Sequence, residues 1–183
     1  MDRISGSDGE RFERLYRANY AAVLAYALRR AGAEQAHDVA AETFLVAWRR
    51  LDDVPADPRA WLLGVARRTL ANQRRSDRRR AALATRLANE PPAADRREES
   101  ETEPVLAALG ELPERDREAL LLVAWEGLDH AQAAAAIGCS RPAFAVRLHR
   151  ARRRLLKAIH AAGHSPPGGP GRGVGEIGLE EQR

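Results

Sequence analysis

Apolar residues recur at three- and four-residue spacings along most of the chain and nowhere alternate as they would in a half-buried strand. The stretch "RFERLYRANYAAVLAYALRRAG" places Phe12, Leu15, Tyr16, Tyr20, Val23, Leu24 and Leu28 at helical spacings, with Gly32 following as a C-cap. A second helix reads "AHDVAAETFLVAWRRL" and stops before Asp52-Asp53-Val54-Pro55. A third begins near "DPRAWLLGVARR", with Asp57 as N-cap and Pro58 in the first turn. It continues through "TLANQRRSDRRR", with a kink or break expected around 69–77. Periodicity fails over "ANEPPAADRREESETEP" and resumes after it. From there Leu112-Pro113, Gly127 and Gly138-Cys139-Ser140 interrupt the pattern and leave four short helices.

This predicts an all-α protein of two small helical domains joined by a flexible linker. The N-terminal helical bundle lies within 1–80, and an acidic, Pro-rich linker covers 81–104. A four-helix domain with a helix-turn-helix covers 105–162. The Gly/Pro-rich tail, 163–183, is expected to be disordered. The helix-turn-helix rests on its turn: one helix over about 129–137, Gly138 to supply a left-handed bend, and Ser140 as N-cap of the next helix. On the second helix Phe144, Leu148, Ala151 and Leu155 form one narrow apolar stripe, within about 60° on a helical wheel. Pro142, Val146, His149, Arg150 and Arg153 lie opposite. A helix so faced suits a major groove, read mostly by its first turns. Arg141, Ala145, Val146 and His149 are then assigned to base edges, and Arg147, Arg150, Arg153 and Arg154 to phosphates.

Charge sharpens this. The net charge of +4 is small, but residues 59–80 carry eight basic and one acidic side chain, and 141–160 carry seven and none. Two basic blocks separated by acidic sequence read as two footprints for a polyanion. The helix at 37–51 has its own peculiarity. Ala41, Phe44, Leu45, Trp48 and Leu51 cover a broad arc while Val39 and Val46 lie on the other side. Either one sector faces a partner, or the helix is central to its own bundle.

Together "AHDVAAETFLVAWRRL", "PRAWLLGVARRTLANQRRSDRRR", "ALGELPERDREALLLVAWEGLDHAQAAAAIGCS" and "VRLHRARRRL" resemble a group IV, extracytoplasmic-function (ECF) sigma factor of bacterial RNA polymerase, over residues 10–158. The resemblance implies a non-catalytic specificity subunit that directs promoter-specific initiation and needs no cofactor. Asp38, Glu42, Phe44, Trp48 and Arg49 match the helix that docks on the clamp helices of the largest polymerase subunit. Arg59 to Leu62 and the helix running to Arg80 match the segment that opens and reads the −10 element. Within it Arg67, Arg68, Asn72, Arg74 and Arg75 are the candidates for DNA contact, and Trp61 is a core residue. The 105–160 segment matches the −35 reader, which includes Ser140, Arg141, Pro142, Ala145, Val146 and Arg147 and in the family also rests on the flap of the second-largest subunit. An anti-sigma factor is a further candidate partner. Glu98, Glu99, Glu101 and Glu103 would either pass through polymerase channels or serve as a solvated spacer.

The chain departs from the family where it reads DNA. The usual Gly-Thr-Val-Lys/Arg-Ser-Arg-Leu run is replaced by Pro142-Ala143-Phe144-Ala145-Val146-Arg147-Leu148, and His130 and Gln132 replace an aromatic residue and a Glu. Ala and Val in place of hydrogen-bonding residues predict a reader relying on thymine methyls and DNA shape.

Other classes fit less of the sequence. A stand-alone operator-binding regulator leaves the 37–51 and 59–80 segments unused. An enzyme would need a site, and there is no HExxH or Cys/His metal cluster. His160 and His164 straddle Gly163 at a helix end, and the G-x-G-x-x-G match at Gly173, Gly175 and Gly178 has no strand before it. The only cysteine, Cys139, is a packed turn residue rather than a nucleophile, and one cysteine fits a reducing compartment. No apolar run approaches the length of a membrane span. Location in the cytoplasm, at the nucleoid when active, is expected.

Overall fold

The computed structural model describes residues 6–88 and 104–163. The expected linker glutamates, His164 and the glycine motif of the tail lie outside the described residues. Seven α-helices are present and no strand occurs among the described residues. They are α1 (Gly6–Leu28), α2 (Ala33–Arg49), α3 (Arg59–Ala88), α4 (Pro104–Glu111), α5 (Glu114–Ala124), α6 (His130–Ile137) and α7 (Arg141–Gly163), with a single 3-10 turn at Leu51–Asp53.

Helices α1, α2 and α3 pack on one another as a bundle. Much of the seam is alanine: Ala27, Ala36, Ala40, Ala47, Ala60 and Ala66 are buried between Val23, Val39, Leu62, Leu63 and Leu70. Their small side chains let the helix axes approach closely. The larger volume is aromatic. Phe12 meets Trp48 edge-on with centroids 5.0 Å apart, and Tyr16 meets Phe44 at 4.8 Å. Helices α4, α5 and α6 pack around α7, whose Phe144, Leu148 and Ala151 are buried as the stripe predicts.

Four local expectations fail. The linker does not begin at 81, since α3 runs on to Ala88. Gly32 does not end α1; its backbone is extended (φ −64°, ψ 162°) and it starts α2. Asp57 does not cap α3, since Pro58 precedes the first helical residue and its carbonyl accepts from Leu62 N–H at 2.8 Å. No break occurs at 69–77. Arg, Ala, Gln and Leu are good helix formers, and α3 continues as one 30-residue rod.

The two groups of helices also meet each other. α3 lies along α6, closely enough that a Cβ on Gly64 would sit 3.1 Å from the Ala136 carbonyl oxygen. A side chain there would make a tight contact with backbone, which cannot rotate aside, so α6 would have to shift by a few tenths of an ångström to accept one.

Candidate nucleic-acid interface

The helix-turn-helix is built by local hydrogen bonds. Asp129 Oδ1 accepts from Ala131 N–H at 2.7 Å and from Gln132 N–H at 2.8 Å. Gln132 Oε1 accepts from Asp129 N–H at 2.9 Å and closes a capping box. The backbone N–H groups of Gln132 and Ala131 hold the Asp129 carboxyl below the usual carboxylate range. Gly138 (φ +79°) makes the bend, and Cys139 N–H returns to Ala134 O at 3.0 Å. Ser140 Oγ accepts from Ala143 N–H at 3.4 Å at the start of α7. The unusual His130 and Gln132 have structural roles. The His130 ring lies 5.9 Å from that of Phe144, and Gln132 Nε2 donates to Asp57 Oδ2 at 2.7 Å.

On α7 the residues Arg141, Pro142, Ala145, Val146, His149, Arg150 and Arg153 are exposed on one side, with Val146 at 50%. Arg147 is half-buried beside the cavity between the two groups of helices, which Tyr26, Arg67, Arg74 and Glu118 also line. Arg154 departs from its assignment to phosphate: it is ion-paired with the buried Asp116 and ties α7 to α5.

On the first bundle the candidates divide. Arg68, Asn72 and Arg75 are exposed, and Arg68 and Asn72 share an open groove with Asp38, Glu42 and Leu45 of α2. Two others are turned inward. Arg67 donates through Nε to Ala136 O at 3.2 Å and through Nη2 to Ile137 O at 2.8 Å, the C-terminal carbonyls of α6. Arg74 pairs with Glu114 and donates to Arg30 O at 2.8 Å. Of the α2 residues, Asp38, Glu42 and Arg49 are exposed, and Trp48 is half-buried against Phe12. Phe44 must be corrected: at 3% exposed it belongs to the bundle core and presents nothing to a partner. The broad arc on the wheel misled because Val39 and Phe44 share the buried face, while the outward apolar residue is Leu45, 47% exposed.

Sequence reading missed the residues between the bundles. Tyr26 Oη donates to Glu118 Oε1 at 2.7 Å, and Arg30 Nε donates to Glu118 Oε2 at 2.8 Å. Glu126 accepts from Arg29 at 2.6 Å and Arg30 at 3.1 Å. The Arg30 guanidinium also stacks 3.6 Å over the Tyr26 ring. Burial opposes its charge, but Tyr26, Glu118 and Glu126 outweigh that and raise its pKa. Burial first and the charge of Glu118 next drive the Tyr26 hydroxyl upward, so it stays a donor. A weak signal existed: Glu126 is the one charge in "ALLLVAWEGL".

Among the described residues no cluster of three potential metal ligands occurs, and no helix is long and apolar enough to cross a membrane. Residues 15–80 match the family model for sigma-70 region 2, and residues 102–155 match that for sigma-70 region 4. The ECF RNA polymerase sigma factor SigL of Mycobacterium tuberculosis is 32% identical over 179 residues, covering 89% of this chain and 98% of that one. The RNA polymerase sigma factor CnrH of Cupriavidus metallidurans is 31% identical over 161 residues, covering 79% and 84%. Among solved structures, the sigma factor RpoE in complex with the anti-sigma factor NepR from Bartonella quintana superposes with a TM-score of 0.63 at 25% identity, covering 81% of this chain and 96% of that one. With both regions matched in order across two all-α bundles, the chain belongs to the ECF (group IV) sigma factors, the non-catalytic subunits that bind core RNA polymerase and promoter DNA and direct promoter-specific initiation in the cytoplasm.

Proposed function

We propose that promoter recognition divides between the bundles as follows. The segment 105–162 reads the −35 element. Arg141, Ala145, Val146 and His149 meet base edges and Arg147, Arg150 and Arg153 hold phosphates, with Ser140 and Pro142 setting the start of the helix. The segment 1–80 binds polymerase and the −10 element. Asp38, Glu42, Trp48 and Arg49, joined by Leu45, meet the clamp helices of the largest subunit. Arg68, Asn72 and Arg75 hold the opened strand, and Arg67 and Arg74 join them when released from their internal partners. Binding energy rather than nucleotide hydrolysis would capture unstacked bases, each costing a few kcal/mol.

The observation that supports this most is the exposed side of α7. Five assigned residues, Arg141, Ala145, Val146, His149 and Arg150, are turned outward while Phe144, Leu148 and Ala151 anchor the opposite face. The flap of the second-largest subunit as a rest for 105–162, work at the nucleoid, and restraint by an anti-sigma factor complete the reading. The last is supported by the Bartonella relative, solved with such a partner.

Run-off transcription from a promoter library with core polymerase, with and without the chain, tests it. Transcripts should appear only with the chain. Output that does not depend on the chain, together with tight binding of a duplex operator, would instead make it a regulator that works without polymerase.

A further inference from the structure

A cavity of about 350 Å³ lies where the ends of α1 and α6 meet α3, α5 and α7, a size found among small-molecule sites. Five arginines and two glutamates line it. Both acids are already engaged, Glu114 by Arg74 and Glu118 by Arg30. The other three arginines have no acidic partner among the described residues. Arg67 is bonded only to the neutral carbonyls of Ala136 and Ile137. Arg115 and Arg147 have neither a hydrogen bond nor an ion pair among the described residues. Arg30 also keeps one buried donor, Nη2, without a partner there. Three positive charges are thus left over in a partly enclosed space, where an opposite charge is held more strongly than in open water. Leu70 and Ile137 add apolar wall beside them.

We propose that this cavity binds a small organic phosphate, with Arg67, Arg115 and Arg147 as its anion contacts. A carboxylate carries one charge on two oxygens. A phosphate carries up to about two charges on three acceptor oxygens, which matches several guanidinium groups. The apolar wall suits a carbon body attached to the phosphate, and the volume limits the whole to roughly the size of a nucleotide. Arg115 has no part in the DNA reading above, whereas Arg67 and Arg147 belong to both. Ligand and promoter DNA therefore compete for these two side chains, and each lowers the affinity of the other by the same factor. That competition rests on the proposed DNA contacts; the site itself does not.

Calorimetric titration of the full chain with adenosine diphosphate and with inorganic pyrophosphate, in the absence of DNA, tests the site. Adenosine diphosphate should saturate at one molecule per chain and bind more tightly than pyrophosphate. Arg115→Gln should weaken it about tenfold, the scale of one charge-assisted hydrogen bond. Arg152→Gln removes the same charge from an exposed position of α7 outside the cavity and should leave affinity unchanged. Cys139, the chain's only cysteine, lines the cavity. Adenosine diphosphate at ten times its Kd should slow alkylation of Cys139 by iodoacetamide about tenfold, since only about one molecule in eleven stays empty. In fluorescence anisotropy it should also lower the affinity of the chain for a −35 duplex. A titration that does not saturate would overturn the site. So would equal losses in the two variants, which would be attraction to net charge alone, or an unchanged alkylation rate at saturation. Pyrophosphate binding as tightly as adenosine diphosphate would overturn the organic part of the assignment. Saturable binding and protection of Cys139 without competition would uphold the site and count against the DNA reading of Arg147 instead.

Discussion

Arg150 and Arg154 lie one helical turn apart on α7 and look alike in the sequence, yet the structure gives them different work. Arg150 is exposed, with no ion pair among the described residues, whereas Arg154 is bound to the buried Asp116. Each phosphate neutralised by a side chain contributes about 0.9 to the slope of log affinity against log salt. Arg150→Ala should therefore lower that slope by about 0.9. Raising salt fourfold should then weaken the variant about 3.5-fold less than the parent. Its melting temperature should not move. Arg154→Ala should do the reverse. It leaves Asp116 without its cation, and because the Arg154 side chain is 57% exposed the loss is discounted to about 1 kcal/mol. Its salt slope should stay near the parent value. Fluorescence anisotropy with a −35 duplex at several salt concentrations, paired with thermal denaturation, reads both quantities. Equal slope changes in the two variants would refute the division between a phosphate holder and a structural tie.

Phe144 is fully buried under α7, so Phe144→Ala should cost about 3–5 kcal/mol in a denaturant titration and lower −35 binding with it. Asp129 has a folded pKa below its unfolded 3.8, so its cap contributes stability above that value and loses it as pH falls through the lower folded value. Asp129→Asn keeps an acceptor but no charge, so acid unfolding should show that loss in the parent and not in the variant. Gly64→Ala should favour the α3 helix by about 1 kcal/mol, while its Cβ, 3.1 Å from Ala136 O, presses on α6. The melting temperature should hold or rise as the distance between bundles lengthens, and an unchanged distance would show that α6 yields instead. Trp48→Ala should weaken polymerase binding and leave binding to a −35 duplex intact; equal loss of both would show that Trp48 acts only through the bundle.

Helices α1 to α7 were legible because each buries one face, and burial of one face writes a period into the sequence. The turn at Gly138 was legible because a left-handed residue calls for glycine. Phe44 was misplaced because a wheel gives angles but not which sector meets neighbours, and alanines at 36, 40 and 47 make the buried face look weakly apolar. Of the seam between bundles only the lone charge of Glu126 in its apolar run left a trace in the sequence. Glu118 and Arg30 are 88 residues apart, and nothing near either marks the other as its partner. Arg67 and Arg74 carried the right charge for DNA, but charge alone does not tell a phosphate from a helix C-terminus or a glutamate.

The alanine seam of the first bundle bears on how long the free chain lasts. Alanine buries little area, so each helix contributes less to stability than a leucine-rich one would. Small bundles of this kind sit close to the folding threshold. A partner present at a hundred times its Kd adds about 2.7 kcal/mol to such a protein. Resistance to proteolysis should then track occupancy: molecules held by polymerase persist, and the unbound pool is cleared first.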